Sequence, residues 1–203
     1  MVMKECVFVF VFDVIFFIFD LEYANMRKIV GPGRLLITNF PHSIERSDAF
    51  EGVTFDKASI NDLNIPLERI CLLDSEASQE LCPEDATKFD YFLFGGILGN
   101  VDEFDFDRTS VLRVKGFPTR SLGSMQMTTD TAVRVCKMIL IDGMPFPTIP
   151  FVDRPEFPMD DESGERLLMN FRYVRDDNGE AMICPEVLQL LKEDFDFNLE
   201  SLE

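Results

Sequence analysis

Residues 84–100 read EDATKFDYFLFGGILGN, and residues 121–132 read SLGSMQMTTDTA. In the first, Tyr91, Phe92, Leu93 and Phe94 make a strand-like apolar run that passes straight into Gly95, Gly96 and Gly99. In the second, a Leu-Gly turn stands before a Thr-Thr-Asp helix start. Glycines after a strand let a ligand come close to the backbone, because no Cβ intrudes and positive φ is open. Spacing alone therefore supports a small-molecule site between two loops. It matches neither G-x-G-x-x-G nor G-x-x-x-x-G-K-[ST], so dinucleotide and P-loop chemistry are not indicated.

Outward from these stretches the chain alternates strands and helices. Residues 6–19, CVFVFVFDVIFFIF, read as a buried first strand leading to a helix near residues 22–30. The apolar run is too short to span a bilayer, Asp13 interrupts it, and its flanks lack the basic start and small-residue cleavage site of a signal peptide. Gly31-Pro32-Gly33 is a turn, 34–38 a strand, and 43–66 a loop-and-helix stretch. Residues 69–74 and 89–94 read as core strands, the second opened by a turn at 83–85; 101–107 is an acidic loop and 111–114 a short strand. From Thr131, Ala132, Val135, Cys136, Ile139 and Leu140 keep helical spacing up to Gly143. Strands around 149–152 and 171–174, a turn at 176–179, a helix at 185–192 and an acidic tail at 193–203 complete the chain. The alternation predicts one α/β domain, residues 1–203, with a mainly parallel sheet.

The net charge of −18 over 203 residues narrows the partners. It is uneven. Residues 1–107 carry 8 basic against 20 acidic groups, and residues 138–203 carry 5 against 16. Between them Arg108, Arg113, Lys115, Arg120, Arg134 and Lys137 face only Asp130. A polyanion would be repelled over most of such a surface, whereas a basic partner is attracted and its encounter hastened. The competing reading is that acidity serves solubility alone. Five cysteines without C-x-x-C spacing predict reduced thiols in a cytoplasmic protein. The single His42, in a Pro-His-Ser turn, makes a His/Cys metal site and a Ser-His-Asp triad poor readings, so no metal is expected.

The strings CLLDSEASQELCPEDATKFDYFLFGGILGN, LGSMQMTTDTAVR, FVDRPEF and FRYV resemble one branch of the SPOUT methyltransferases. That branch monomethylates an arginine on a small-subunit ribosomal protein. The likeness covers roughly residues 68–203, with weaker echoes at 35–43 and 21–23. It implies a SPOUT-type α/β fold with helices on both faces of the sheet and a deep C-terminal trefoil knot. It also implies a monomer and S-adenosyl-L-methionine as methyl donor. The donor is expected between three loops: Leu72, Leu73 and Asp74; Phe94, Gly95, Gly96 and Gly99; and Leu122, Gly123, Met127 and Thr128. Met127 also reads as ordinary core filler.

The donor's sulfonium and the substrate guanidinium are both cations; at about 4 Å they repel by roughly 4 kcal/mol at an effective dielectric of 20. Carboxylates must offset this and align the guanidinium. Asp102 and Asp107 are candidates in the acidic loop, where the branch carries Gly-Asp and this chain has Asn100. Asp153 and Glu156 follow in Asp-Arg-Pro-Glu-Phe, with Pro155 stiffening the approach. Each also reads as a solvated loop acid, and Asp130 as a helix cap. Arg172, in the strand 171–174 that supports the cleft, reads equally as a structural ion pair. Residues 194–203, where acids alternate with Phe and Leu, are expected along the substrate cleft or as a frayed end.

Three function classes therefore stand: a protein-arginine methyltransferase acting on a basic ribosomal protein, with no membrane and no nucleic acid partner; an RNA methyltransferase using residues 108–137; and a non-catalytic assembly factor.

Overall fold

The structure is a computed structural model that describes residues 6–11, 17–40, 50–94, 112–159 and 164–200. Its centre is a six-stranded sheet. The strands are β1 (Val7–Val11), β2 (Leu35–Thr38), β3 (Thr54–Phe55), β4 (Ile70–Leu73), β5 (Tyr91–Phe94) and β6 (Thr119–Arg120). Their order is β3-β2-β1-β5-β4-β6, and every pairing is parallel, so all the strand C-termini share one edge. The expected mainly parallel α/β sheet is what forms.

Side chains alternate between two buried faces, as a parallel sheet covered on both sides requires. Phe8, Phe10, Leu35, Ile37, Cys71, Phe92 and Phe94 point to one face. There they meet α1 (Phe17–Val30) through Tyr23, Met26 and Val30, and a long helix through Val133, Cys136 and Ile139. Val9, Leu36, Ile70, Leu72 and Leu93 point to the other face, under Ile60, Phe117 and Leu112. The single turn α2 (Asp85–Lys88) precedes β5, and the long helix is α3 (Thr129–Leu140). Outside the main sheet, β7 (Phe151–Asp153) pairs antiparallel with β10 (Arg172–Val174), and β8 (Glu156–Pro158) with β9 (Arg166–Leu168). Helix α4 (Pro185–Glu200) closes the described chain. No helix among the described residues is long and apolar enough to cross a membrane.

Several boundaries differ from the sequence reading. The apolar run 6–19 is not one strand: β1 ends at Val11 and α1 already includes Phe17. A continuous Phe/Val/Ile run has no period that separates a strand end from a helix start. The expected strand at 111–114 is instead helical at Leu112 and Arg113, with Leu112 packed on the second face and Val114 exposed. Helix α4 runs through the expected tail to Glu200. His42, the acidic loop 101–107 and Val111 lie outside the described residues.

Asp85, within the PEDATK string, secures β6. It has no exposed surface, and Arg120 grips its two oxygens at 2.9 and 3.0 Å while Lys88 adds a contact at 3.1 Å. Burial alone would raise this carboxyl, yet the Arg120 hydrogen bonds, with those from Cys82 and Lys88, hold it below the usual range. Arg120 also lies 5.3 Å over the Phe89 ring.

Candidate functional site

Strands β4, β5 and β6 end at the C-terminal edge of the sheet where the sequence placed its three loops, and those after β4 and β6 lie within the described residues. In open parallel sheets ligands bind outside the carboxyl ends of the strands, where neighbouring connections run in opposite directions. Here that point falls between β1, whose chain goes on to β2, and β5, whose chain goes on to β6. At this junction Phe10 and Phe94 face each other in register and stack at 4.6 Å.

The loop after β6 is held at both ends. Ser121 donates to Gln79 (2.8 Å) and accepts from Leu81 (2.9 Å), which stitches it to the loop after β4. At the other end Arg172 of β10 donates to the Gln126 carbonyl (2.9 Å) and Met127 bridges Arg172. Gly123 turns at φ +80°, and a Cβ there would sit 3.0 Å from the Phe146 ring, so any other residue would be both strained and crowded. Leu73, Leu122 and Met127 are half-buried along this edge, an apolar lining suited to an adenine ring flanked by backbone amides. The residues present thus fit S-adenosylmethionine.

Not every expected cofactor residue offers its side chain. Leu72 is fully buried on the opposite face and contributes only backbone. Both oxygens of Asp74 are engaged by Arg113 (2.5 and 2.9 Å), and Oδ1 also accepts the Glu76 amide at 3.0 Å. Burial would raise Asp74, but these bonds hold it low, so it braces the loop. Gly95, Gly96, Gly99, Asp102 and Asp107 lie outside the described residues. Asp153 forms a two-point pair with Arg172, which is the ion pair anticipated for Arg172. Glu156 pairs with Arg166 at 2.9 Å, both half-exposed, on the β8–β9 ribbon. Asp153 is therefore linked to the Met127 loop through Arg172, and Glu156 is not.

A group of buried polar residues lies between α1, the start of α3 and β10. Asp130, 5% exposed, accepts from Asn25 Nδ2 (2.7 Å), the Thr131 amide (2.8 Å) and the Thr128 hydroxyl (2.7 Å). The Thr128 hydroxyl also bonds that of Thr131 at 2.7 Å. Glu22 is 4% exposed, and burial, reinforced by the Asp130 charge, pushes it up to about 8. Tyr173 is 1% exposed, and burial, Asp130 and Glu22 together raise its hydroxyl. Arg134, one turn along α3, feels Asp130 too; burial lowers it and Asp130 opposes that. Sequence reasoning did not single out Glu22, Asn25 or the Tyr173 hydroxyl. The available signal was an acid at Glu22, four residues before Met26 on the apolar stripe of α1.

Comparison with known proteins agrees. The model of the family described as protein arginine N-methyltransferase SFM1-like matches residues 19–198. Protein arginine N-methyltransferase SFM1 of Saccharomyces cerevisiae is 39% identical over 199 residues, covering 90% of this chain and 91% of that protein. The crystal structure of the yeast arginine methyltransferase SFM1 complexed with SAM matches with a TM-score of 0.83 at 34% identity, covering 94% of this chain and 91% of that one. Its complex with SAH matches at 0.79 and 34% identity, covering 92% and 94%. The chain belongs to the SFM1-like family of protein arginine N-methyltransferases.

Proposed function

We propose that the protein transfers a methyl group from S-adenosylmethionine to an arginine of a basic small-subunit ribosomal protein, making monomethylarginine, as a cytoplasmic monomer with a deep trefoil knot. Bound at the strand ends, the donor supplies an electrophilic methyl group on a cationic sulfur. Leu73, Leu122 and Met127 would flank its adenine, and the backbone around Gly123 would come close to it. The protein's acids offset the meeting of two cations and orient the guanidinium.

One observation carries the choice of a protein substrate over RNA. Of the six cations in the stretch that would have to bind phosphate, four are engaged inside the molecule. Arg113 pairs with Asp74 and Glu76, Arg120 with Asp85, and Lys137 with Asp142, while the partly buried Arg134 feels the Asp130 charge. Cations already neutralised release few counterions on meeting a nucleic acid. With a net charge of −18, the unpaired remainder is acidic and draws a basic protein. Five free thiols, four of them buried, suit a reducing compartment.

The test incubates the protein with methyl-labelled S-adenosylmethionine and small ribosomal subunits, with and without ribonuclease. One labelled protein band, insensitive to the nuclease and yielding monomethylarginine on hydrolysis, is the expected result. Label that disappears with the nuclease would assign the activity to RNA.

A further inference from the structure

We propose that Glu22 and Asp130, with the Tyr173 hydroxyl beside them, form the receptor for the guanidinium of the substrate arginine. This rests on the arginine-methyltransferase reading and assigns the residues that meet the substrate.

Two atoms motivate it. The Glu22 Oε2 and the Tyr173 hydroxyl are both buried, and neither has a hydrogen-bond partner among the described residues. Buried polar atoms are rarely left unpaired, and each such exception calls for an explanation. Here both occur in one cluster, beside a second buried carboxylate. A guanidinium answers both needs. It carries five N–H donors in a planar fork, and its positive charge favours the ionised form of Glu22 that burial and the Asp130 charge oppose in the free protein. A water molecule would satisfy the hydrogen bonds and leave Glu22 protonated.

Within the cluster the roles divide. Both oxygens of Asp130 are already held, by Asn25, Thr128 and Thr131, so it is fixed in place and contributes field. Glu22 carries the open oxygen that takes the substrate N–H. Tyr173 offers a second acceptor.

Placement also suits the reaction. Asp130 stands in the first turn of α3, two residues beyond Thr128, and the Thr128 hydroxyl is bonded to it. The loop fitted to the methyl donor therefore runs straight into the receptor's Asp130, within residues 122–130. The cluster's closure to solvent strengthens a carboxylate–guanidinium interaction well beyond its surface value. The surface acids Asp153 and Glu156, by contrast, already hold Arg172 and Arg166.

A pH signature accompanies this. In the free protein Glu22 keeps its proton up to about pH 8, with Asp130 opposing its ionisation, Arg134 acting on Asp130 and Tyr173 neutral. A cationic ligand needs Glu22 ionised, so kcat/KM should rise with pH toward 8 and then level.

The experiment has two arms. Ligand-observed NMR follows N-acetylarginine amide binding to the full-length protein saturated with S-adenosylhomocysteine, for the wild type, Glu22→Gln and Tyr173→Phe. This arm needs no turnover, so it is independent of whether ribosomal protein is the substrate. Kinetics then use a basic protein that the wild type methylates. The expected results are probe binding to the wild type and its loss in Glu22→Gln. In Glu22→Gln kcat/KM should fall about 100-fold, the expected size when one member of a buried charge pair is lost, and its alkaline rise should vanish. S-adenosylhomocysteine affinity should stay within about two-fold, and Glu22→Asp should restore part of the rate. Tyr173→Phe, nearly isosteric, should raise KM about 10-fold, the cost of one lost hydrogen bond to a charged group. The proposal is overturned if the wild type does not bind the probe, or if Glu22→Gln keeps probe binding and the pH profile. Should Glu22→Gln not fold, an unchanged KM in Tyr173→Phe would overturn it equally.

Discussion

Arg172 and Asp153 face each other in register across β10 and β7 and close a two-point ion pair, with Nε at 2.6 Å and Nη2 at 2.9 Å from the carboxylate oxygens. The guanidinium also lies 4.8 Å over the Phe151 ring, and Phe151 packs at 5.5 Å on Phe146, the ring that limits Gly123. From its backbone the same Arg172 holds Gln126. One residue thus braces both ends of the Gly123 loop, through its side chain and through its backbone.

Asp153→Asn should therefore be felt at the cofactor more than in stability. The pair is partly exposed, so its loss should lower the unfolding free energy by less than about 1 kcal/mol in urea titrations. S-adenosylhomocysteine binding, followed by calorimetry, should weaken about three-fold, the equivalent of about 0.6 kcal/mol.

Asp85→Asn attacks a different joint. It removes the charge from a fully buried carboxylate and leaves Arg120, 13% exposed at its side chain, without its partner. Breaking a buried pair on one side costs about 3–5 kcal/mol. Asp85 is held below its ordinary value, so its contribution to stability is present above about pH 3.8 and is lost as pH falls further. Acid titrations of unfolding should show the wild type losing stability below that pH and the variant losing less.

Gly123→Ala places a Cβ at φ +80° and 3.0 Å from Phe146. A left-handed conformation costs a non-glycine residue about 1–2 kcal/mol before any clash is counted. The loop should shift to relieve both, so cofactor affinity should drop about ten-fold or more, with a lower melting temperature. A Phe146→Leu background should recover part of the loss.

Glu22 makes a prediction of opposite sign to Asp85. Its folded value is raised from 4.5 to about 8, so the native state holds a proton that the unfolded chain gives up. The stability tied to that proton is complete below about pH 4.5 and is lost as pH rises through about 8. Glu22→Gln does not titrate. Relative to the wild type it should gain stability between pH 5 and pH 8.5 in denaturant unfolding, while losing activity.

The sequence showed the C-terminal edge of the sheet more clearly than the buried cluster around Glu22. Residues 91–94 and 121–131 carried their own local signals, an apolar strand entering glycines and a Leu-Gly turn before a helix, and the structure places both stretches at the strand ends. β3 and β6, two residues each, have no periodicity to read. Arg113 and Asp74 lie 39 positions apart and Arg120 and Asp85 lie 35 apart. Spacing cannot announce such partnerships, and the basic stretch 108–137 accordingly read as a possible open surface. Glu22 was hidden for a related reason. Its setting depends on Asp130 and Tyr173, brought to it only by the packing of α1 on α3 and β10.

The strand order also sets a timetable for synthesis. β1 lies between β2 and β5, and Phe8 and Phe10 find their partners at Phe92 and Phe94, more than eighty positions later. A ribosome adding about 5–20 residues per second needs on the order of 4–17 s to make that stretch. Through that interval an aromatic strand that ends up fully covered has only half its neighbours. The nascent chain should then be a client of the holding chaperones that work at the ribosome exit, where crosslinking to the first strand should fade once β5 emerges.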